Sequence, residues 1–157
     1  MVCNPKKAFE IFVSYFWPCL LVAFVCAAFA LKSLSLADAT SLWIDELSSV
    51  GKSFQSDYSG LIAWLRRDTH PPFYYTLLWF WGGVAGKTSV SLRLFSWLAY
   101  ALAGVLVIWQ AGSLALRDVR GKAMACSALL FFCSPYPVRF AIEGKSYAFL
   151  VLLIALG

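Results

Sequence analysis

Two long apolar runs without a single charge limit what this chain can fold into: Ile11 to Leu31, of 21 residues, and Leu94 to Leu116, of 23. The hydrocarbon core of a bilayer is about 30 Å thick and a helix rises about 1.5 Å per residue, so a crossing needs roughly 20 such residues. In hydrocarbon every backbone N–H and C=O must be paired within the segment, which a helix achieves. Both runs are therefore expected to be membrane-spanning helices. Composition points the same way: 61% of the 157 residues are hydrophobic and only 13% charged, against about 25% charged in soluble domains.

Three shorter uncharged segments follow the same logic with less length: 71–86 and 123–138, of 16 residues each, and 146–157, of 12. They are expected as short spans, as spans lengthened by Lys or Arg reaching to the interface, or as segments that enter and return while packed against other helices. The sequence stops at Gly157 inside an apolar run, so the chain is expected to be the front of a longer protein. The expected fold class is all-α. It is a polytopic membrane helix bundle over 1–157, with spans near 11–31, 71–86, 94–116, 123–138 and 146–157. An external loop, 32–70, is expected to carry short interfacial helices.

A cleaved signal peptide is the rival reading of the N-terminus, since Lys6 and Lys7 precede the apolar run and Ala28-Phe29-Ala30 resembles a cleavage site. The run is longer than the roughly 7 to 15 apolar residues of a signal peptide, so it is kept as a span, and the two lysines favour a cytoplasmic N-terminus in the plasma membrane. Four of the five cysteines, Cys19, Cys26, Cys126 and Cys133, lie in apolar runs with no metal-ligand spacing and read as small hydrophobes. The net charge of +5 comes from basic residues scattered at segment ends. No basic stripe or aromatic-interleaved module accompanies it, which excludes nucleic acid as the expected partner.

The external loop from Lys32 to His70 holds five acidic and four basic residues. Thr40 to Leu47 and Ser59 to Arg67 read as short amphipathic helices, the second opened by a capping serine. Each carries one tryptophan, and a Trp/Leu face opposite a charged one suits a helix lying in the interface plane. Asp45 and Glu46 are adjacent, so on a helix their side chains diverge by about 100 degrees and one acts while the other supports. Such a carboxylate suits a general base for a hydroxyl acceptor, or a ligand for a divalent cation. The plain alternative is an acidic pair favoured by the helix dipole.

Asp68-Thr69-His70-Pro71-Pro72-Phe73-Tyr74-Tyr75 places the only histidine where polar loop becomes apolar segment. Pro72 has no N–H and a preset φ, so a helix starts there without loss, while the two prolines hold Thr69 and His70 out of helical geometry. Asp68 and His70 are thereby presented at the membrane boundary, a good place for a phosphate.

Trp43-Ile44-Asp45-Glu46, then Asp68 to Tyr75, then Ser91-Leu92-Arg93-Leu94 and finally Glu143-Gly144-Lys145-Ser146-Tyr147 together resemble the protein-mannosyltransferase-like family of membrane glycosyltransferases. That family carries a Glu-x-Arg-x-Tyr element where Lys145 stands here; the charge is kept and the planar fork is lost. The resemblance implies a C-type glycosyltransferase fold and an inverting transfer at the external face, from a polyprenyl-phosphate sugar to a hydroxyl of a lipid, protein or glycan. It implies Asp45 as base or acceptor-binding carboxylate, with Glu46 as its support. It also implies Asp68, His70, Arg93, Glu143, Lys145 and Tyr147 as substrate-binding residues.

The residue types suit that chemistry, which needs a base for the incoming hydroxyl and positive charge for the departing phosphate. Lys145, Arg139, Arg93 and His70 are the candidates for the positive side, and a divalent cation is a further candidate. Strict alternation of spans would put residues 139–145 on the face opposite 45–70. An entering and returning 71–86 segment puts both on one face, with Arg117, Arg120 and Lys122 on the other. The competing expectation is a small non-enzymatic membrane protein, a transport or assembly subunit that binds membrane lipids or a partner.

Overall fold

The computed structural model describes the backbone of residues 5–157 and the side chains of 13–135 and 138–157. Lys6 and Lys7, which carry the expectation of a cytoplasmic N-terminus, lie outside the described side chains. The described residues form eight helices and no strand: α1 (Pro5–Leu36), α2 (Ile44–Ser53), α3 (Tyr58–Leu65), α4 (Pro72–Ala85), α5 (Ser89–Leu114), α6 (Arg120–Phe132), α7 (Pro135–Ala141) and α8 (Tyr147–Leu156). Two of them, over Val13–Leu36 and Ser89–Leu114, are long and apolar enough to cross a membrane.

The long helices fix the two ends of the molecule. Phe29 of α1 packs on Phe132 of α6 at 4.7 Å between ring centres, and Tyr15 donates to the Arg117 carbonyl just before α6 at 2.7 Å, so α1 and α6 run side by side in one direction. Gly104 of α5 lies against Phe132, and Gly112 against Met124, so α5 runs against α6. Helix α8 runs with α5: the Lys145 carbonyl accepts from Ser96 at 3.3 Å and the Ala155 carbonyl from Gln110 at 2.8 Å. The turn between α5 and α6, with Arg117 and Arg120, is thus at one end, which we call lower. The close of α1, the start of α5 and the segment between α6 and α8 are all at the upper end.

Helix α4 keeps the segment 71–86 at one end of the molecule. It begins at Pro72, as the chemistry of that residue predicts, but it covers only 14 residues. Its close returns to the segment where its start lies: Trp79 and Lys87 both donate to the Gln55 carbonyl, at 3.3 and 2.5 Å. Trp81 also donates to the Ser91 carbonyl at the start of α5, at 2.9 Å. The segment therefore stays at the upper end and does not pass to the lower one. The expected span over 123–138 is likewise interrupted, α6 closing at Cys133 and α7 starting at Pro135. A proline disfavours helical geometry in the residue before it, here Ser134, which breaks the run.

The two amphipathic segments are helical with shifted starts. Helix α2 opens at Ile44, and Glu46 reaches back to the Trp43 N–H at 3.0 Å. Helix α3 is capped by Asp57, which accepts from the Gly60 N–H at 3.0 Å and from the hydroxyl of Ser59 at 2.6 Å. The cap is therefore the aspartate, not the serine, because a charged acceptor satisfies the open N–H groups more strongly. An aromatic cluster of Tyr74, Tyr75, Phe95 and Phe149 packs α4 against α5 and α8.

Candidate functional site

The upper end is organised by one buried ion pair. Arg93, on the first turns of α5, donates from Nε to Glu46 Oε1 at 2.9 Å and from Nη2 to Oε2 at 2.8 Å. Its remaining donors go to main-chain carbonyls: Nη1 to Ala37 and Thr40, both at 2.9 Å, and Nη2 to Ser41 at 3.1 Å. A guanidinium has five N–H donors, and all five are engaged here. Glu46 is equally saturated, accepting further from the Trp43 and Gly144 amides at 3.0 and 2.9 Å. Burial pushes the Glu46 carboxyl up, but the Arg93 hydrogen bonds and the two amides outweigh it and hold it below the usual carboxylate range. These two residues join the close of α1, the start of α2, α5 and the loop before α8. In this arrangement both position other groups and neither has a polar atom left for a substrate.

Fixing Glu46 turns its neighbour outward. The Asp45 side chain is 66% exposed, and its Oδ1 lies 3.7 Å from the ammonium of Lys145, whose side chain is only 9% exposed. Lys145 is placed by its own backbone: its N–H donates to the Glu143 carbonyl, and its carbonyl accepts from Ser96. Gly144 cannot carry a side chain here, since a Cβ would lie 2.3 Å from Leu92. The Asp45–Lys145 pair is thus an accessible carboxylate with a largely desolvated cation beside it.

A second polar cluster lies farther along α2, around Lys52. Asp68 Oδ1 meets His70 Nδ1 at 2.8 Å, while Oδ2 is paired with the Lys52 ammonium. Lys52 first, then His70, hold the Asp68 carboxyl far below the usual range. With Nδ1 occupied, Nε2 is the nitrogen His70 offers outward, and the ring is half exposed. Lys52 also lies 4.9 Å over the centre of the Tyr75 ring. His70, Tyr74, Tyr75, Phe73, Phe149 and Ser146 line a cavity of about 330 Å³. Tyr74 and Tyr75 are buried. Ser146 is next in the chain to Lys145, so this cavity adjoins the Asp45–Lys145 pair.

Comparison with family models, curated proteins and solved structures finds no match to this chain. The geometry alone sorts the residues singled out in the sequence. Asp45, Lys145 and His70 come to one end with open atoms, Asp68 comes to the same end with both carboxylate oxygens engaged, and Glu46 and Arg93 are there too but buried and saturated. Glu143 is paired with Arg139 at 3.2 Å. Tyr147 packs against Phe140 with the rings tilted and their centres 5.0 Å apart, and it does not line the cavity with His70. Lys52 was not legible as part of this site; its position two turns after Asp45 on an amphipathic helix is the signal that places it on the same side. No group of three or more His, Cys, Asp or Glu side chains able to hold a metal ion occurs among the described residues. The positive charge beside Asp45 comes from Lys145.

Proposed function

We propose that the chain is a membrane glycosyltransferase, or part of one, which moves a sugar from a polyprenyl-phosphate donor to a hydroxyl acceptor with inversion. The observation that carries this reading is the exposed Asp45 carboxylate held 3.7 Å from the buried Lys145 ammonium, at the same end as Asp68 and His70. Membrane placement is supported by α1, which turns Phe16, Trp17, Leu20, Phe24 and Leu31 outward. So large an apolar surface is foreign to a water-exposed helix.

In the proposed reaction Asp45 takes the proton of the acceptor hydroxyl. The oxygen attacks the anomeric carbon, and the bond from that carbon to the phosphate oxygen breaks on the opposite face. Lys145 and His70 meet the charge that collects on the departing phosphate, His70 through Nε2, with Asp68 holding the ring by Nδ1. A positioned and largely buried cation such as Lys145 stabilises such charge more than it would in bulk solvent.

Membranes containing the chain, supplied with a panel of labelled polyprenyl-phosphate sugars, test the proposal. Transfer is expected with at least one donor, falling about 10²- to 10⁴-fold in Asp45→Asn, the range of a lost general base. Transfer that ignores Asp45→Asn removes Asp45 from the mechanism. Silence across the panel in membranes where the chain is folded favours the non-enzymatic membrane subunit.

A further inference from the structure

A larger cavity than the one beside His70 lies on the flank away from it. It is a groove of about 680 Å³ between α1, the close of α6 and α7, walled by Leu21, Phe24, Val25, Phe29, Phe132 and Val138 among others. Among the described residues two charged side chains line it, Lys32 and Arg139, both cationic, and no carboxylate does. They share one end of the groove: α1 and α6 run in parallel with Phe29 on Phe132, Lys32 follows Phe29 by three residues, and Arg139 follows Phe132 by seven, on α7. Glu143 engages Nε of Arg139 at 3.2 Å, and the Trp43 ring lies 5.3 Å from its guanidinium carbon. The Nη groups remain for an anion. Lys32 is exposed.

We propose that this groove holds an anionic phospholipid of the bilayer, one acyl chain lying along α1 and the phosphate between Lys32 and Arg139. Three observations favour that occupant. The lining charges are of one sign, complementary to a phosphate. The apolar wall is continuous from Leu21 to the cations. Its length also fits one leaflet: Leu21 is the midpoint of the Ile11–Leu31 run, and the eleven residues from there to Lys32 rise about 16 Å, against about 15 Å for half the hydrocarbon core. A polyprenyl chain is longer than one leaflet is deep, and the donor phosphate is placed above at His70, which lines the other cavity. The inference rests on the membrane placement proposed above and not on the transfer chemistry.

Photo-crosslinking tests it. The full chain, with a benzophenone amino acid in place of Phe24, is reconstituted in phosphatidylcholine vesicles that contain an equal fraction of phosphatidylglycerol, and a parallel set contains polyprenyl phosphate. Selective crosslinking of phosphatidylglycerol is expected, falling about fivefold when Lys32→Gln removes one cation. Ala28→Trp, at an exposed position on the groove wall, is expected to block crosslinking without touching either cation. Equal crosslinking of the two phospholipids, or preference for polyprenyl phosphate, overturns the proposal while leaving the membrane placement standing. Loss of the chain from carbonate-washed membranes overturns both.

Discussion

Glu46 and Arg93, 47 residues apart in sequence, face each other inside the protein with two parallel hydrogen bonds of 2.9 and 2.8 Å. Their side chains are 2% and 3% exposed. A carboxylate so placed is not a base in waiting. It is the joint that holds Asp45 outward and Gly144-Lys145 inward. Removing one partner leaves the other buried and unpaired, a loss of about 3–5 kcal/mol. Glu46→Ala and Arg93→Ala are each expected to lose stability on that scale in denaturant titrations of the reconstituted protein. Arg93→Lys is expected to keep little of it, because an ammonium has three donors and cannot serve both carboxylate oxygens and three carbonyls at once. A change within about 0.5 kcal/mol, the size of an ordinary surface substitution, would refute the joint.

Asp45→Asn tests the opposite behaviour on the neighbouring residue. The side chain is 66% exposed and makes one long ion pair, so stability is expected to stay within about 0.5 kcal/mol of the parent while transfer is lost. A variant that lost both together would show Asp45 to be structural.

The Lys52–Asp68 pair gives stability a pH signature. Asp68 has a depressed folded pKa, so its contribution is present above the ordinary aspartate range and is lost as pH falls through the folded value. Burial disfavours the Lys52 charge, but Asp68 and Tyr75 outweigh it and raise its folded pKa. Its contribution is present below the ordinary lysine value and is lost as pH rises through the folded one. The pair therefore stabilises fully from roughly pH 4 to 10. Denaturation midpoints of the parent and Lys52→Met, measured from pH 3 upward, are expected to differ most near neutrality and to begin closing at the acid end. A constant difference at every pH would contradict the pairing.

The contact of α5 with α6 depends on one missing side chain. A Cβ on Gly104 would lie 2.2 Å from the tip of the Phe132 ring, and Phe132 is wedged among Phe29, Tyr100 and Phe131. Gly104→Ala is expected to cost about 1–3 kcal/mol by overpacking. Phe132→Leu in the same chain is expected to recover part of the loss. Additive losses in a double-mutant cycle would show that the two residues do not meet.

The all-helical architecture and its two long apolar helices were legible because an uncharged run of more than 20 residues has few other ways to satisfy its backbone. The start of α4 was legible because Pro72 dictates it. An entering and returning course for it was one of two that the sequence left open, since hydropathy carries no direction and the contacts that turn it, Trp79 and Lys87 on the Gln55 carbonyl, join residues more than twenty apart. Asp45 and Glu46 were recognisable as a pair with divided labour. What divides it is Arg93, which no local pattern connects to residue 46. Lys52 was invisible for the same reason: an exposed lysine and a lysine buried against Asp68 and Tyr75 read alike in one dimension.

Everything proposed for the upper end requires that residues near 58 and residues near 139 lie on one side of the membrane, with the turn at 118 on the other. Single cysteines at Tyr58, Arg139 and Asp118, in a chain whose own five cysteines are replaced, can be labelled with a membrane-impermeant maleimide in sealed vesicles of either orientation. The expected result is that 58 and 139 react together in one orientation and 118 in the other. Labelling of 139 together with 118, opposite to 58, would mean that 71–86 crosses, that Lys145 cannot stand beside Asp45, and that the site does not exist.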